Sequence, residues 1–103
     1  MIPYVLATAS LDDLDAIHAY IAKHNIDAAD RLLKAAFDTF DLLSCTPEIG
    51  RVRKFRGDAS VLRSFGIRGY ANHLIFYRLR SNHLEIVRVL HGAQDLNSIL
   101  DPK

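Results

Sequence analysis

Three side chains that could bind an anion or move a proton interrupt the most apolar part of this sequence. Arg78, Arg88 and His91 lie in two β-prone runs of aliphatic and aromatic residues between Asn72 and Gly92. A charged side chain on a buried strand must either pair with an opposite charge or take part in binding or catalysis, because an isolated charge is costly to bury. Arginine could hold a carboxylate or a phosphate, and histidine could act as a general base.

The two runs predict a β-hairpin, and its register assigns a partner to the first arginine. If the turn is centred on Ser81 and Asn82, the numbers of opposed residues have a constant sum. Arg78 then faces Glu85 on the neighbouring strand, where opposite charges attract. We therefore expect a structural ion pair between Arg78 and Glu85.

The same register leaves the other two residues without an acidic partner in the hairpin. Arg88 faces Ile75, so it must find a carboxylate elsewhere or bind a partner, which makes it the stronger binding candidate. His91 faces Asn72 at the end of a strand, where its side chain could reach a groove. Because no acidic residue lies near His91 on the predicted sheet, a hydrogen-bonded structural histidine is favoured over a general base.

No sequence pattern indicates a metal or a cofactor. The five histidines and the single cysteine lack the usual spacing of metal ligands, and Cys45 is expected to be a small buried thiol at a helix end. No glycine-rich phosphate loop, nucleophile elbow or paired-carboxylate signature is present. We expect no metal, no cofactor and no enzymatic activity.

Charge is divided unevenly along the 103 residues, whose net charge is +1. Seven acidic and three basic residues precede Pro47, and five acidic and ten basic residues follow from there. The basic residues concentrate at Arg51, Arg53, Lys54, Arg56 and Arg63. Such a cluster indicates an anionic partner, an acidic peptide or a nucleic acid, unless it is only a solvated loop.

The chain is predicted to be a single cytoplasmic domain, residues 1–103. No apolar run approaches the roughly twenty residues that cross a bilayer, and the first residues lack the pattern of a secretory signal. One cysteine permits no internal disulfide. Neither membrane association nor export is expected.

The elements that position these side chains predict an α+β fold. Ser10 is the expected N-cap of a first helix and Asp27 that of a second, and Pro47 begins a loop or irregular edge that extends to Ser60. In order, the predicted elements are a strand over 4–8, helices over 11–23 and about 28–45, strands over 61–67, 70–79 and 84–90, and a short terminal helix over 96–100. The antiparallel helical hairpin should cover one face of a mainly antiparallel sheet, completed by a three-stranded meander, with a concave groove or a partner on the other face.

Several motifs along this order resemble the ParE branch of the RelE/ParE toxin superfamily. They are Ala28-Ala29-Asp30-Arg31-Leu32-Leu33, Pro47-Glu48-Ile49-Gly50-Arg51, Arg63-Ser64-Phe65, Ile75-Phe76-Tyr77-Arg78 and Arg88-Val89-Leu90-His91-Gly92-Ala93. The chain departs from the family at Ala7-Thr8, where Ser-Pro is common, and at Gln94, where an arginine is usual.

The resemblance implies the fold above and a type II toxin that inhibits growth, a role used in plasmid maintenance. Such a toxin is not a catalyst: it binds DNA gyrase and stabilises the cleaved DNA complex. A ParD-like antitoxin would hold it in a heteromeric complex, and contact with DNA would be only indirect, through that antitoxin. The candidate contacts for target or antitoxin are Arg51, Arg53, Arg63, Tyr77, Arg88 and His91.

Two alternatives remain on the same fold. One is a ribosome-dependent mRNA endoribonuclease of the RelE branch, which needs an arginine before the aromatic run and a tyrosine or histidine near the C-terminus. Here Leu74 occupies the arginine's place and no tyrosine follows His91, so only His91, Arg63 and Arg88 could serve. The other is a degenerate toxin that retains only antitoxin binding.

Overall fold

One five-stranded sheet, with the strand order β1-β5-β4-β3-β2, is the frame of the molecule. It is seen in a computed structural model that describes residues 1–54 and 61–100. The elements are β1 Tyr4–Leu6, α1 Thr8–Ala22, α2 Ile26–Cys45, a 3₁₀ turn Pro47–Ile49, β2 Arg51–Arg53, β3 Leu62–Ile67, β4 Tyr70–Leu79, β5 Leu84–His91 and α3 Leu96–Leu100. β1 runs parallel to β5 and the other neighbours are antiparallel, which confirms the predicted α+β fold.

The basic segment after α2 was predicted to be a loop or irregular edge, with no strand of its own. Arg51–Arg53 form an edge strand, β2, that pairs with β3. The strand is short and carries two arginines, a composition that protects an edge from further pairing and resembles a loop in the sequence. Arg56 lies outside the described residues.

Both predicted helix caps were placed too late in the sequence. The N-cap of α1 is Ala7, and the buried Ser10 lies inside the helix, where its hydroxyl donates to the carbonyl of Ala7 at 2.7 Å. Asn25 caps α2, because its extended backbone lets its side-chain oxygen accept from the Ala28 amide at 3.0 Å. Asp27 instead lies in the first turn, where the helix dipole favours a negative charge.

The main core lies between the helical hairpin and one face of the sheet. Phe40 is fully buried and packs against Tyr4 and Phe37. Its ring centre lies 5.5 Å from that of Tyr4 and 5.3 Å from that of Phe37. The other buried members are Leu14, Leu32, Ala36, Leu43, Ile67, Ile75, Tyr77, Leu84, Ile86 and Val89. This apolar layer fixes α1 over β5, so α1 supplies the side chains that meet the end of that strand.

The opposite face of the sheet carries a smaller cluster. Leu62, Phe76 and Leu90 are buried there, packed against Leu96, Ile99 and Leu100 of α3 among others. We expected a groove or a partner on this face. The C-terminal helix of the chain itself covers part of it.

A one-residue shift in the hairpin register changes which residues face each other. Leu79, Arg78 and Tyr77 pair as predicted with residues 84, 85 and 86. Beyond them Val87 is an extra residue, so that Phe76 faces Arg88 and His73 faces His91. The predicted pairing of Arg88 with Ile75 and of His91 with Asn72 was therefore wrong. A bulge of this kind bends the strand and redirects the side chains that follow it.

Among the described residues, no helix combines the length and the apolar character needed to cross a membrane.

Candidate interaction site

Tyr77 fastens the turn after α2 to the middle of the sheet. Its ring is fully buried, and its hydroxyl donates to the Pro47 carbonyl at 2.7 Å and accepts from the Gly50 amide at 2.9 Å. A Cβ on Gly50 would collide with this hydroxyl, so glycine is needed there for close approach. Burial raises the pKa of Tyr77, although the Gly50 hydrogen bond opposes the rise, and the phenol stays protonated.

Arg63, opposite Tyr77 in the sheet, holds the same turn. One of its guanidinium nitrogens, Nη1, donates to the carbonyls of Glu48 and Gly50 at 3.0 and 2.9 Å. These two hydrogen bonds hold the end of the turn, directly before β2 begins. Arg63 and Tyr77 together therefore position the basic edge strand.

The two arginines of β2 differ in their surroundings. Arg51 is exposed, whereas Arg53 is half-buried with its guanidinium carbon 5.8 Å from the centre of the Phe76 ring. The Nε of Arg53 is buried and has no hydrogen-bond partner among the residues that the structure describes. A cation above an aromatic face is favourable, so Phe76 helps to place this charge.

The predicted ion pair between Arg78 and Glu85 is present. Nε of Arg78 donates to Oε1 of Glu85 at 2.7 Å, and Nε of Arg80 approaches the same oxygen at 3.2 Å. The Arg78 hydrogen bond lowers the pKa of Glu85 below its usual value. Glu85 therefore carries its charge at neutral pH, balanced by two arginines.

Arg88 finds its carboxylate on α1. Its Nε and Nη2 donate to the two oxygens of Asp13 at 2.7 and 2.8 Å, and the Val89 amide donates to the same carboxylate at 3.0 Å. The hydrogen bonds to Asp13 raise the pKa of Arg88 further. Of the two possibilities left open for Arg88, an internal carboxylate is the one found, so this guanidinium is already engaged.

His91 lies beside a residue that the sequence did not single out, His73. Their ring centres are 5.1 Å apart, edge to face at 83°. The predicted register placed Asn72 opposite His91, and the unseen bulge is what concealed the pair. Burial lowers the pKa of His73, and the nearby charge of His91 lowers it further.

These histidines close one end of an apolar groove of about 610 Å³ between α1 and the ends of β4 and β5. Tyr20 lies on its wall with 70% of its surface exposed. The lining residues are Ala16, Ile17, Tyr20, Ile21, His73, His91 and Gln94. Such a groove suits the apolar face of a helix from a partner.

The six candidate contact residues do not meet in one place. Arg63 faces Tyr77, whereas His91 faces His73, four residues away along β4, which corresponds to about 13 Å. Arg63 and Tyr77 line a second, smaller pocket of about 240 Å³ at that other end. The structure therefore offers two separate surfaces, an apolar one at His91 and a basic one near β2.

Cys45 is exposed, not buried as predicted, because it is the last residue of α2 and points away from the core. In residues 1–54 and 61–100, no three His, Cys, Asp or Glu side chains are grouped so that they could hold a metal ion.

Comparison with known proteins agrees with this fold and identifies a protein family. A family model described as the ParE toxin of the type II toxin-antitoxin system, parDE, matches residues 4–96. A solved chain of the chromosomal ParDE toxin-antitoxin system from P. aeruginosa superposes with a TM-score of 0.71 at 17% identity, covering 88% of this chain and 96% of that one. No curated protein sequence matches. Since the family model spans nearly the whole sequence, the chain belongs to the ParE toxin family of type II toxin-antitoxin systems.

Proposed function

We propose that this ParE-family toxin binds DNA gyrase in the bacterial cytoplasm, stabilises the cleaved gyrase-DNA complex, and is held inactive by a ParD-like antitoxin. Family membership supports the toxin role. One observation supports binding as the mechanism: the side chains that a nuclease would need already make internal contacts that stabilise the fold.

The arginines and the tyrosine with suitable chemistry are held by internal bonds. Arg88 is paired with Asp13, and Arg63 donates to two backbone carbonyls. Tyr77 is fully buried with its hydroxyl bonded on both sides. A general acid or base must reach the proton that it transfers, which favours binding over catalysis here.

His91, the remaining candidate, stands apart from the arginines that could stabilise a phosphorane-like charge. It lies about 13 Å along β4 from the position of Arg63. Its Nδ1 accepts from the Ala93 amide at 3.0 Å. Transition-state stabilisation needs donors within about 3 Å of the developing charge, and no such set surrounds His91 in the described part of the chain.

The apolar groove supports a helical antitoxin segment as its occupant. Ile17, Tyr20 and Ile21 form an apolar wall, because their i, i+3 and i+4 spacing places them on one face of α1. The apolar face of a partner helix can pack against such a wall. The basic edge strand, with Arg51 exposed, suits an acidic part of the same antitoxin. Together the two surfaces fit a partner that wraps around the toxin.

Induced expression in bacteria tests the proposal. We expect a DNA-damage response and filamentation while protein synthesis continues, and suppression of both when the neighbouring gene is co-expressed. Rapid arrest of translation with cleavage of ribosome-bound messages would instead identify a RelE-type nuclease. Normal growth, with the neighbouring product still bound, would identify a degenerate toxin.

A further inference from the structure

The groove ends at a pair of histidines that the sheet brings into direct opposition. The Gly92 amide donates to the Asn72 carbonyl at 2.7 Å, so the neighbouring pair, His73 and His91, occupies a position without mutual backbone bonds. Side chains approach closest at such positions in an antiparallel sheet. The 5.1 Å between the ring centres follows from this placement.

In the part of the chain that the structure describes, no charged side chain lines the groove to compensate a proton on either ring. The lining from α1 is apolar apart from Tyr20, and the turn after β5 contributes the neutral Gln94. Asp13, one turn before Ala16 on α1, is already neutralised by Arg88. Two imidazolium ions would therefore repel each other at close range, and the half-buried setting of His73 disfavours a charge there, whereas His91 is exposed.

Hydrogen bonds also fix the position of the His91 ring. Its Nδ1 accepts from the Ala93 amide at 3.0 Å, which requires a lone pair on that nitrogen. The His91 amide in turn donates to the Gln94 side chain at 2.7 Å, so the ring belongs to a closed turn. A proton on Nδ1 would set two N–H donors against each other and remove the hydrogen bond from the Ala93 amide. Burial and the neighbouring His91 lower the pKa of His73, which agrees with a neutral His73 at neutral pH.

We propose that the groove holds the apolar face of its partner helix only while His73 and His91 are both neutral, so that acidification releases the partner. The identity of that partner, an antitoxin helix, rests on the proposed function. The proton sensitivity rests on the two rings and their uncharged surroundings alone. A partner that buries the pair must exclude each proton, which weakens binding about tenfold per pH unit for each proton excluded once the pH lies below the pKa of the free ring.

The first experiment uses the free chain and needs no partner. An NMR titration of the histidine side chains from pH 8 to pH 5 should show His73 titrating below its ordinary value, in a step that also perturbs His91. His91→Asn keeps an acceptor for the Ala93 amide and removes the second charge, so it should raise the pKa of His73. An ordinary pKa for His73 that His91→Asn leaves unchanged would overturn the proposal.

The second experiment measures binding of the protein encoded by the adjacent gene, between pH 7.5 and pH 5.5. We expect affinity to fall for the natural chain, most steeply at the acid end of this range because the pKa of His73 lies below its ordinary value, and to become nearly independent of pH in the His73→Gln, His91→Asn double variant. His83→Gln, in the turn between β4 and β5, is the matched control and should retain the full dependence. An equal pH dependence in the natural chain and the double variant would overturn the proposal while leaving the antitoxin role intact.

The two experiments separate failure of the proton switch from failure of the proposed function. If the neighbouring product binds at no pH, the antitoxin assignment fails. The NMR titration of the free chain then decides the histidine coupling by itself.

Discussion

Arg88 donates two hydrogen bonds, of 2.7 and 2.8 Å, to Asp13, a residue 75 positions earlier in the sequence. Both side chains are largely shielded, with 27% and 12% of their surface exposed. The same carboxylate accepts the Val89 amide, just after the bulge in β5. The pair therefore ties α1 to the irregular part of β5 and fixes one side of the groove.

Removing either partner of this pair should destabilise the fold. Asp13→Asn or Arg88→Met leaves a shielded charge without compensation, and we expect a loss of about 2–3 kcal/mol in the free energy of unfolding. Urea denaturation at pH 7 measures it. Lys34→Met, which breaks an exposed pair with Asp38, is the control and should cost less than about 0.5 kcal/mol. A loss in Arg88→Met no greater than in the control would show that the pair contributes nothing.

Acid should weaken the fold through Glu85. Because Arg78 holds the pKa of Glu85 below its usual value, the unfolded chain binds a proton there more readily than the folded chain does. The stabilisation from this ion pair is therefore complete when the pH lies above the pKa of Glu85 in the unfolded chain, about 4.3. It is lost as the pH falls from there through the pKa of Glu85 in the folded chain.

Glu85→Gln isolates this effect. The free energy of unfolding should fall less steeply between about pH 5 and pH 3 in the variant than in the natural chain, because the other carboxylates titrate in both. Urea denaturation across this range provides the comparison. Parallel curves would mean that the Arg78 contact does not favour the charged carboxylate.

Gly50 should tolerate no side chain. Gly50→Ala forces a methyl group into the buried Tyr77 hydroxyl, and we expect a cost of about 1–3 kcal/mol. Gly92→Ala is the matched control, because its methyl group would meet the Asn72 carbonyl at an ordinary 3.6 Å. Thermal or urea unfolding measures both, and equal stability of the two variants would contradict the packing described for Tyr77.

Antitoxin binding should depend on the wall of the groove. Tyr20→Ala removes an aromatic anchor that contributes little to the core, since 70% of its surface is exposed. We expect affinity for the neighbouring gene product to fall about tenfold or more with little change in stability. Ile26→Ala, equally exposed at the start of α2, should bind normally. Loss of affinity in both variants alike would argue against the groove as the docking site.

The order of the elements could be read from the sequence because local rules determine it. Apolar spacing of three and four indicated both helices, Pro47 ended the second, and the turn at Ser81 and Asn82 set the first three pairs of the hairpin. These pairs include Arg78 with Glu85, so that ion pair was predictable. Residues close in sequence carried the information in each case.

The candidate site could not be read in the same way, because it depends on one extra residue and on distant contacts. Val87 lies in a run that is apolar on both faces, so nothing in the pattern marked the bulge that pairs His73 with His91. The partner of Arg88 comes from a helix 75 positions away. Strand β2 was missed because three residues with two arginines resemble a loop.

A DNA cleavage assay with the purified chain, DNA gyrase and supercoiled plasmid tests gyrase poisoning directly. We expect cleaved DNA, revealed after denaturing the gyrase, to accumulate in proportion to the added chain and to disappear when the antitoxin is added first. Absence of cleaved DNA at every concentration of a folded chain, together with cutting of messages on ribosomes by the same preparation, would contradict gyrase poisoning.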